Sequence, residues 1–313
     1  MRDYNAILEL AKEKAQSEAQ EKGLNHDCAE WFIRGYIEGF MLGYAEGCVY
    51  ARREIAGKML AAMMPVDKIA KYTDLSIEEI EALERAFKIG YQMHMTAMKM
   101  CRPGVVEREI AGRVEGIAKS YGQGVSFPTI VTQHGEILHN HNHDGVLEAG
   151  RLLLVDGGGE SVEGYCSDHT RTYPVSGKFT DLQRDIYNIV LRAHGEVKDM
   201  IKPGTMYPDI HRAAYLSLAE GLKGVGLIKS SAEDAVEAGA MYMFMPHGLG
   251  HGMGMDVHDL ENIGERSFDF STVADRAAKS ATCIHRGTWR VEPGTVMSDE
   301  PGIYFIPALI DKC

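Results

Sequence analysis

The run RLLLVD, Arg151 to Asp156, opens directly into Gly157-Gly158-Gly159. An apolar stretch of this length reads as a short strand, and the glycines put its terminal carboxylate where the chain must turn. Asp168 lies twelve residues on, in CSDHTRTYPV, close enough to face Asp156 across a hairpin. Two carboxylates held that close repel each other unless a cation or a proton lies between them. The chain around this point must therefore fold as a sheet and supply a reason for two buried acids to meet.

Helical patterns flank the hairpin. ERAFKIGYQMHMTAMKM, from Glu84, has an amphipathic repeat stopped by CRPG, and VEREIAGRVEGIAKSYG repeats the pattern. SFPTIVTQ joins RLLLVD as a second β-rich run. QRDIYNIVLRAHGEVKDMI, ended by KPG, and PDIHRAAYLSLAEGL read as two further helices, and the last part of the chain reads as strands around EPG turns. Helices and short strands in this order predict an α+β domain over residues 85–313.

Residues 1–84 read as a helical segment of separate character. Gly35, Gly39, Gly43 and Gly47 lie four apart, a ridge on one helix face that lets another helix approach closely. Glu38 and Glu46 interrupt it, which speaks against a membrane dimer. Ser76 and Glu79 form a capping box ahead of an apolar run. A turn at Thr73–Leu75 has the outline of a helix-turn-helix. Residues 1–85, however, carry 11 Lys/Arg against 16 Asp/Glu, a net of −5, and that balance favours a plain helical hairpin. With its Gly-Glu repeats and IAKYTDLSIEEI ending, this quarter of the chain weakly resembles the tail of the recombination-promoting nuclease/transposase family; none of that family's catalytic residues is present.

Charge narrows the function classes further. The whole chain has a formal net charge of −12, from 33 Lys/Arg and 45 Asp/Glu, which argues against nucleic acid as a partner. No uncharged apolar run approaches the ~20 residues that span a bilayer. MRDYNAILELAKEK has no apolar core like that of a signal peptide. The six cysteines are scattered with no CxxC pair and read as free thiols, so a cytoplasmic location is expected.

Two more residues join the paired acids. His251 stands in HGLGHGMGMDVHD, whose glycines permit close packing around an imidazole, and Glu300 stands in SDEPGIYF, where Pro301 and Gly302 turn the chain after the carboxylate. Each is ordinary alone: strand-end Asp, structural His and EPG turns are common. In the order strand-Asp-Gly, SDHTRT, HGLGH…VHD, DEPGIY they form a hard, oxygen-rich donor set with one imidazole, which suits Mn²⁺ better than a thiolate-selected metal. Two such ions can activate water and polarise a carbonyl. His139, His141 and His143 alternate in HNHNH, and on a strand they would share one face as a polar pocket wall. The 17 methionines, dense at 93–100 and 241–255, read as core and pocket lining.

Residues 85–313 thus resemble the pita-bread metallopeptidase family, in particular its Xaa-Pro aminopeptidase (aminopeptidase P) and prolidase branch. VHD after HGLGH favours this branch over methionine aminopeptidases. The resemblance implies a pita-bread fold behind the helical segment. It implies that Asp156, Asp168, His251 and Glu300 bind two divalent ions, with Mn²⁺ first and Co²⁺ or Zn²⁺ as alternatives, and that Asp168 bridges the two. It implies that His139, His247 and His258 position substrate, stabilise the intermediate or shuttle a proton. The family's fifth ligand, a bridging Glu in an R-x-E-D strand, belongs well past the position of Glu300, so the chain reads as C-terminally truncated at Cys313. The Asp156–Asp168 spacing is one residue longer than the family's, which a hairpin loop absorbs, and the family's own N-terminal domain is replaced by the helical segment.

The activity so implied is metal-dependent hydrolysis of the bond between an N-terminal residue and proline, with proline-containing peptides as substrates. Prolidase action on X-Pro dipeptides is the near alternative, and a non-catalytic peptide- or protein-binding homologue the distant one. No nucleic acid or membrane partner is expected, and a homo-oligomer is allowed.

Overall fold

Helix α1 (Ile77–Met100) buries Ile80, Leu83, Ala86, Ile89, Met93 and Ala97 at three- and four-residue spacing. Arg102-Pro103-Gly104 stops it, with Gly104 at φ 88°. The computed structural model describes residues 77–259, 290–291 and 296–311, with isolated residues between 9 and 33. Ser76, the glycine ridge and the Thr73–Leu75 turn lie outside the described residues. Helix α1 runs across residue 84, where the sequence pattern changes.

Helix α2 (Glu107–Tyr121) packs on α1 through Ile110, Ala111, Val114 and Ala118, and the Glu109 carboxylate accepts the Val106 N–H at its start. Its end, Gly122, approaches so closely that a Cβ there would lie 1.9 Å from the Glu160 carbonyl oxygen. Beneath the helices lies an antiparallel sheet of β2 (Ile130–Thr132), β3 (Leu152–Asp156) and β5 (Thr170–Pro174), in that spatial order. In its register Asp156 stands opposite both Ile130 and Thr170. The pair β1 (Gly124–Val125) and β4 (Gly159–Glu160) extends the hairpin. Leu153 and Val155 point into a core shared with Met93, Val114 and Tyr173.

A second core forms further along the chain. Helix α3 (Asp181–Met200) opens on a capping box of Thr180 and Gln183, and α4 (Tyr207–Gly224) packs against it. Ile189 seats on Gly221, where a Cβ would lie 2.3 Å from its side chain. Helix α5 (Ala232–Glu237) and a 3₁₀ turn at Ala240–Met243 complete this cluster with Met241, Met245 and Leu249. A final turn, α6, covers Pro307–Ile310. No helix among the described residues is long and apolar enough to cross a membrane.

Two expectations are corrected. Around Glu300 no strand forms among the described residues; only isolated bridges occur, Met206 with Arg290 and Gly252 with Met297. The backbone there bonds singly to the 244–252 loop, Glu300 N–H to Leu249 O at 2.8 Å and Tyr304 N–H to Phe244 O at 2.7 Å. The loop's own amides donate to side chains instead of returning the bonds, Leu249 N–H to His211 and His251 N–H to Ser298, so no ladder closes. HNHNH is not a strand either. The Asn140 and Asn142 side chains accept the N–H two residues on, at 3.0 and 2.8 Å, and these local bonds compete with sheet pairing.

Candidate metal centre

The hairpin delivers the first two acids. Asp156 ends β3 opposite Thr170, and the Gly157 N–H donates to His169 O at 3.0 Å, so Asp168 sits just past the ladder beside Asp156. Gly158 is required here, since a Cβ would fall 1.6 Å from the Ser167 carbonyl oxygen. The second core delivers the other two ligand candidates. His251 Nε2 lies 3.3 Å from Asp168 Oδ2 and 3.0 Å from Glu300 Oε1, and the ligand atoms of the three residues lie within 4.8 Å of one another.

Two anchors fix this second pair. The Tyr207 hydroxyl, fully buried, donates to Gly250 O at 2.8 Å and accepts Gly250 N–H at 3.0 Å. His211, ringed by Tyr207 and Tyr215, accepts the Leu249 N–H at 3.2 Å. Ser298 ties the two segments of the site together: its hydroxyl accepts the His251 N–H at 3.0 Å and donates to the Glu300 carboxylate.

The electrostatics describe a site short of positive charge. Burial first, then the neighbouring Asp168, pushes the Asp156 carboxyl up to about 8. Its Oδ1 is buried with no hydrogen-bond partner among the described residues. Burial pulls the His251 imidazole down, but the Asp168 and Glu300 carboxylates outweigh it and raise it to about 10. Glu300 is driven up by burial and brought below its ordinary range by His251 and Ser298. The protonated imidazole is thus the local counter-charge.

A divalent cation fits these residues. The His251 Nδ1–H donates to Gly252 O at 2.9 Å, which fixes the ring and leaves Nε2, facing both carboxylates, as the ligand atom once its proton leaves. The orphaned Asp156 oxygen is the kind of group a cation satisfies.

The other predicted residues fall unevenly. His258 stacks on His251, ring centroids 3.9 Å apart at 30°, and His247 meets Tyr304 edge-on at 5.2 Å. An open cavity of about 380 Å³ adjoins His258, walled by Glu160, Cys166 and Asp256. His139 is exposed at φ 52°, and no described contact joins it to the carboxylates. Sequence reading missed Ser298, Tyr207, His211 and Tyr304, whose hydroxyl is kept protonated by burial and by Glu300 and Asp156. Ser298, two residues from Glu300 in an extended run, was the one with a local signal. His169, beside Asp168, is structural: burial lowers its imidazole to about 4, and its ring packs edge-on against Phe87 at 5.8 Å.

Comparison with known proteins shows the family and the fold. Residues 81–312 match the family model of metallopeptidase family M24. The chain is 38% identical over 241 residues to a Coccidioides posadasii protein described as a probable Xaa-Pro aminopeptidase, covering 74% of this chain and 49% of that one. It is 35% identical over 244 residues to the human Xaa-Pro dipeptidase, covering 75% and 48%. Among solved structures, Escherichia coli aminopeptidase P with the inhibitor Pro-Leu matches at a TM-score of 0.62 and 33% identity, covering 74% and 48%. The chain spans about half the length of these relatives.

Proposed function

Because the chain belongs to metallopeptidase family M24 and has that family's pita-bread fold, we propose that it hydrolyses the peptide bond between an N-terminal residue and proline. The observation that carries this reading is the convergence of Asp168, His251 and Glu300 beside the buried, unpartnered oxygen of Asp156. These four residues would hold two divalent ions, Mn²⁺ first by the hardness of the donors and Co²⁺ or Zn²⁺ as alternatives. When bound, such ions supply Lewis acidity that activates water and polarises the scissile carbonyl.

The chain's own groups do the rest. The Gly252 carbonyl holds the His251 ring so that Nε2 faces the acids, and Ser298 holds the Glu300 carboxylate in place. Tyr304 remains a hydroxyl donor throughout the working pH range, since burial raises it, and it keeps His247 edge-on beside the acids. His247 and His258 would orient the peptide and move its proton, and His139 would reach the substrate from its exposed loop. Asp168 would be the carboxylate shared between the two ions. The described thiols, Cys101 and Cys166, are free.

The test is release of the N-terminal residue from a short X-Pro tripeptide by the purified chain with added Mn²⁺, beside His251→Ala. Turnover lost in the variant supports the reading; turnover that persists in it, or none in folded, Mn²⁺-loaded protein, removes it. Near-equal identity to aminopeptidase and dipeptidase relatives gives the prolidase alternative weight. An X-Pro dipeptide cleaved faster than the tripeptide would select it.

A further inference from the structure

The Glu107 carboxylate is 2% exposed, yet it lies on the first turn of α2 far along the chain from every ligand candidate. A buried carboxylate is costly unless hydrogen-bonded. Here it is bonded at both oxygens: Oε1 accepts the Gln133 N–H at 2.7 Å and Oε2 the Gly145 N–H at 3.2 Å. Those two amides are the two ends of the loop that carries His139. One carboxylate therefore closes the loop's base, as a clip closes a ring.

Neighbouring contacts act in the same sense. The Glu107 N–H donates to Gly145 O and the Arg108 N–H to His143 O, both at 2.9 Å. Gln133 spans the base again, donating through Nε2 to Val146 O at 2.7 Å and accepting the Glu148 N–H at 3.1 Å. Gly145 lies so close that a Cβ there would stand 2.7 Å from the Glu107 carboxyl carbon. Inside the loop, the Thr132 hydroxyl accepts both the His134 N–H and the Asn140 side-chain N–H at 3.0 Å. At its crest His139 is the only described non-glycine residue with positive φ, 52°. A non-glycine residue held there is strained and persists only where the surroundings dictate it.

We infer that Glu107 is a positioning residue for His139: it pins both ends of the 133–145 loop so that the crest is held in its left-handed conformation, ready to meet substrate. The inference rests on the peptidase reading for what His139 does, but not for how it is held. A carboxylate suits the task because it accepts from two backbone donors at once. An amide of the same shape presents an NH₂ group to one of them.

The experiment compares wild type, Glu107→Gln, His139→Ala and the double variant, loaded with Mn²⁺, on the X-Pro tripeptide. Glu107→Gln should lower kcat by roughly tenfold to a hundredfold, the scale of a misplaced contact. Mn²⁺ affinity by calorimetry should stay within about twofold, because the clip touches none of the proposed ligands. In the His139→Ala background the same substitution should cost less than about twofold, since there is no imidazole left to misplace. Equal losses in both backgrounds, a parallel fall in Mn²⁺ affinity, or no loss at all would overturn the proposal. Gly145→Ala strains the same contact from the loop side and repeats the test should Glu107→Gln fail to fold. If the wild-type chain turns over no X-Pro peptide, the peptidase reading falls and the clip is judged by NMR. The His139 ³J(HN,Hα) coupling and the exchange rates of the Gln133 and Gly145 amides must then change in Glu107→Gln, and unchanged values would sink it.

Discussion

Replacing Tyr207 by Phe removes one oxygen atom and, with it, two hydrogen bonds to a single glycine. The ring stays, so no cavity larger than a hydroxyl opens and the apolar packing of α4 against α3 is kept. What changes is the Gly250 peptide environment: its N–H loses the acceptor at 3.0 Å and its carbonyl loses the donor at 2.8 Å, both in a fully buried setting. An orphaned buried group costs about 1–3 kcal/mol, with a carbonyl at the lower end, so the pair should cost about 2–4 kcal/mol. Tyr215→Phe is the internal control. Its hydroxyl donates one hydrogen bond, to Met245 O at 3.1 Å in the same core, and its loss should cost about 1 kcal/mol. Urea unfolding of the three metal-free proteins, followed by near-UV circular dichroism and compared at a common m-value, reads the difference. Because Gly250 precedes His251, Mn²⁺ affinity should also fall in Tyr207→Phe and hold in Tyr215→Phe. If Tyr207→Phe proves no less stable than Tyr215→Phe, the claim that this hydroxyl anchors the His251 loop is wrong.

Three other outcomes are expected. Gly158→Ala places a Cβ 1.6 Å from a backbone carbonyl oxygen that cannot rotate away, so the segments carrying Asp156 and Asp168 must part. The variant should lose at least about 1–3 kcal/mol by denaturant titration and most of its Mn²⁺ binding, and a wild-type titration would contradict the hairpin geometry. Apparent Mn²⁺ affinity should climb between pH 6 and pH 9. In the metal-free fold Asp156 is raised from 3.8 to about 8 and His251 from 6.5 to about 10, so each binds its proton more tightly than in the unfolded chain. That proton-linked stability is full below the unfolded values and is lost as pH rises through the folded ones, and a cation must displace both protons. Calorimetry in two buffers of different ionisation enthalpy counts the protons released; a pH-independent affinity would contradict the assignment. Finally, burial and the nearby Glu160 push the Cys166 thiol up to about 12, leaving roughly one thiolate in ten thousand at pH 8. Iodoacetamide should label it, by peptide mass spectrometry, only after denaturation.

The elements legible in the sequence were those whose signal is local. Periodicity announced α1, α2, α3 and α4, and the run into three glycines announced β3 with its terminal carboxylate. The candidate donors Asp156, His251 and Glu300 were visible because each sits in a short stretch whose glycines or proline already require an unusual backbone, and Asp168 because its twelve-residue spacing from Asp156 fits a hairpin. The residues that hold those donors were not legible. Tyr207 and Gly250 are separated by the rest of α4, helix α5 and a 3₁₀ turn, and nothing local tells a buried tyrosine hydroxyl with two partners from one with none. Pro301 was read as a turn between strands, but the loop facing this run gives its amides to the His211 and Ser298 side chains, so the chain bonds to it singly. HNHNH misled because alternation suggests a pleat, while asparagine side chains offered its backbone a closer partner.

The two apolar cores described above supply the centre from opposite sides, Asp156 and Asp168 from the sheet beneath α1 and α2, His251 and Glu300 from the loops packed on α4. A cation seated among them would act as a rivet between two separately packed bodies. Its binding free energy would oppose their parting, by about 2.7 kcal/mol at a hundredfold excess of free ion over its dissociation constant. Separation of the bodies exposes both cores to proteases, so the survival of each copy would track the ion supply around it. The same four side chains would then set lifespan as well as chemistry, and a cell starved of the ion would lose the protein as well as its activity.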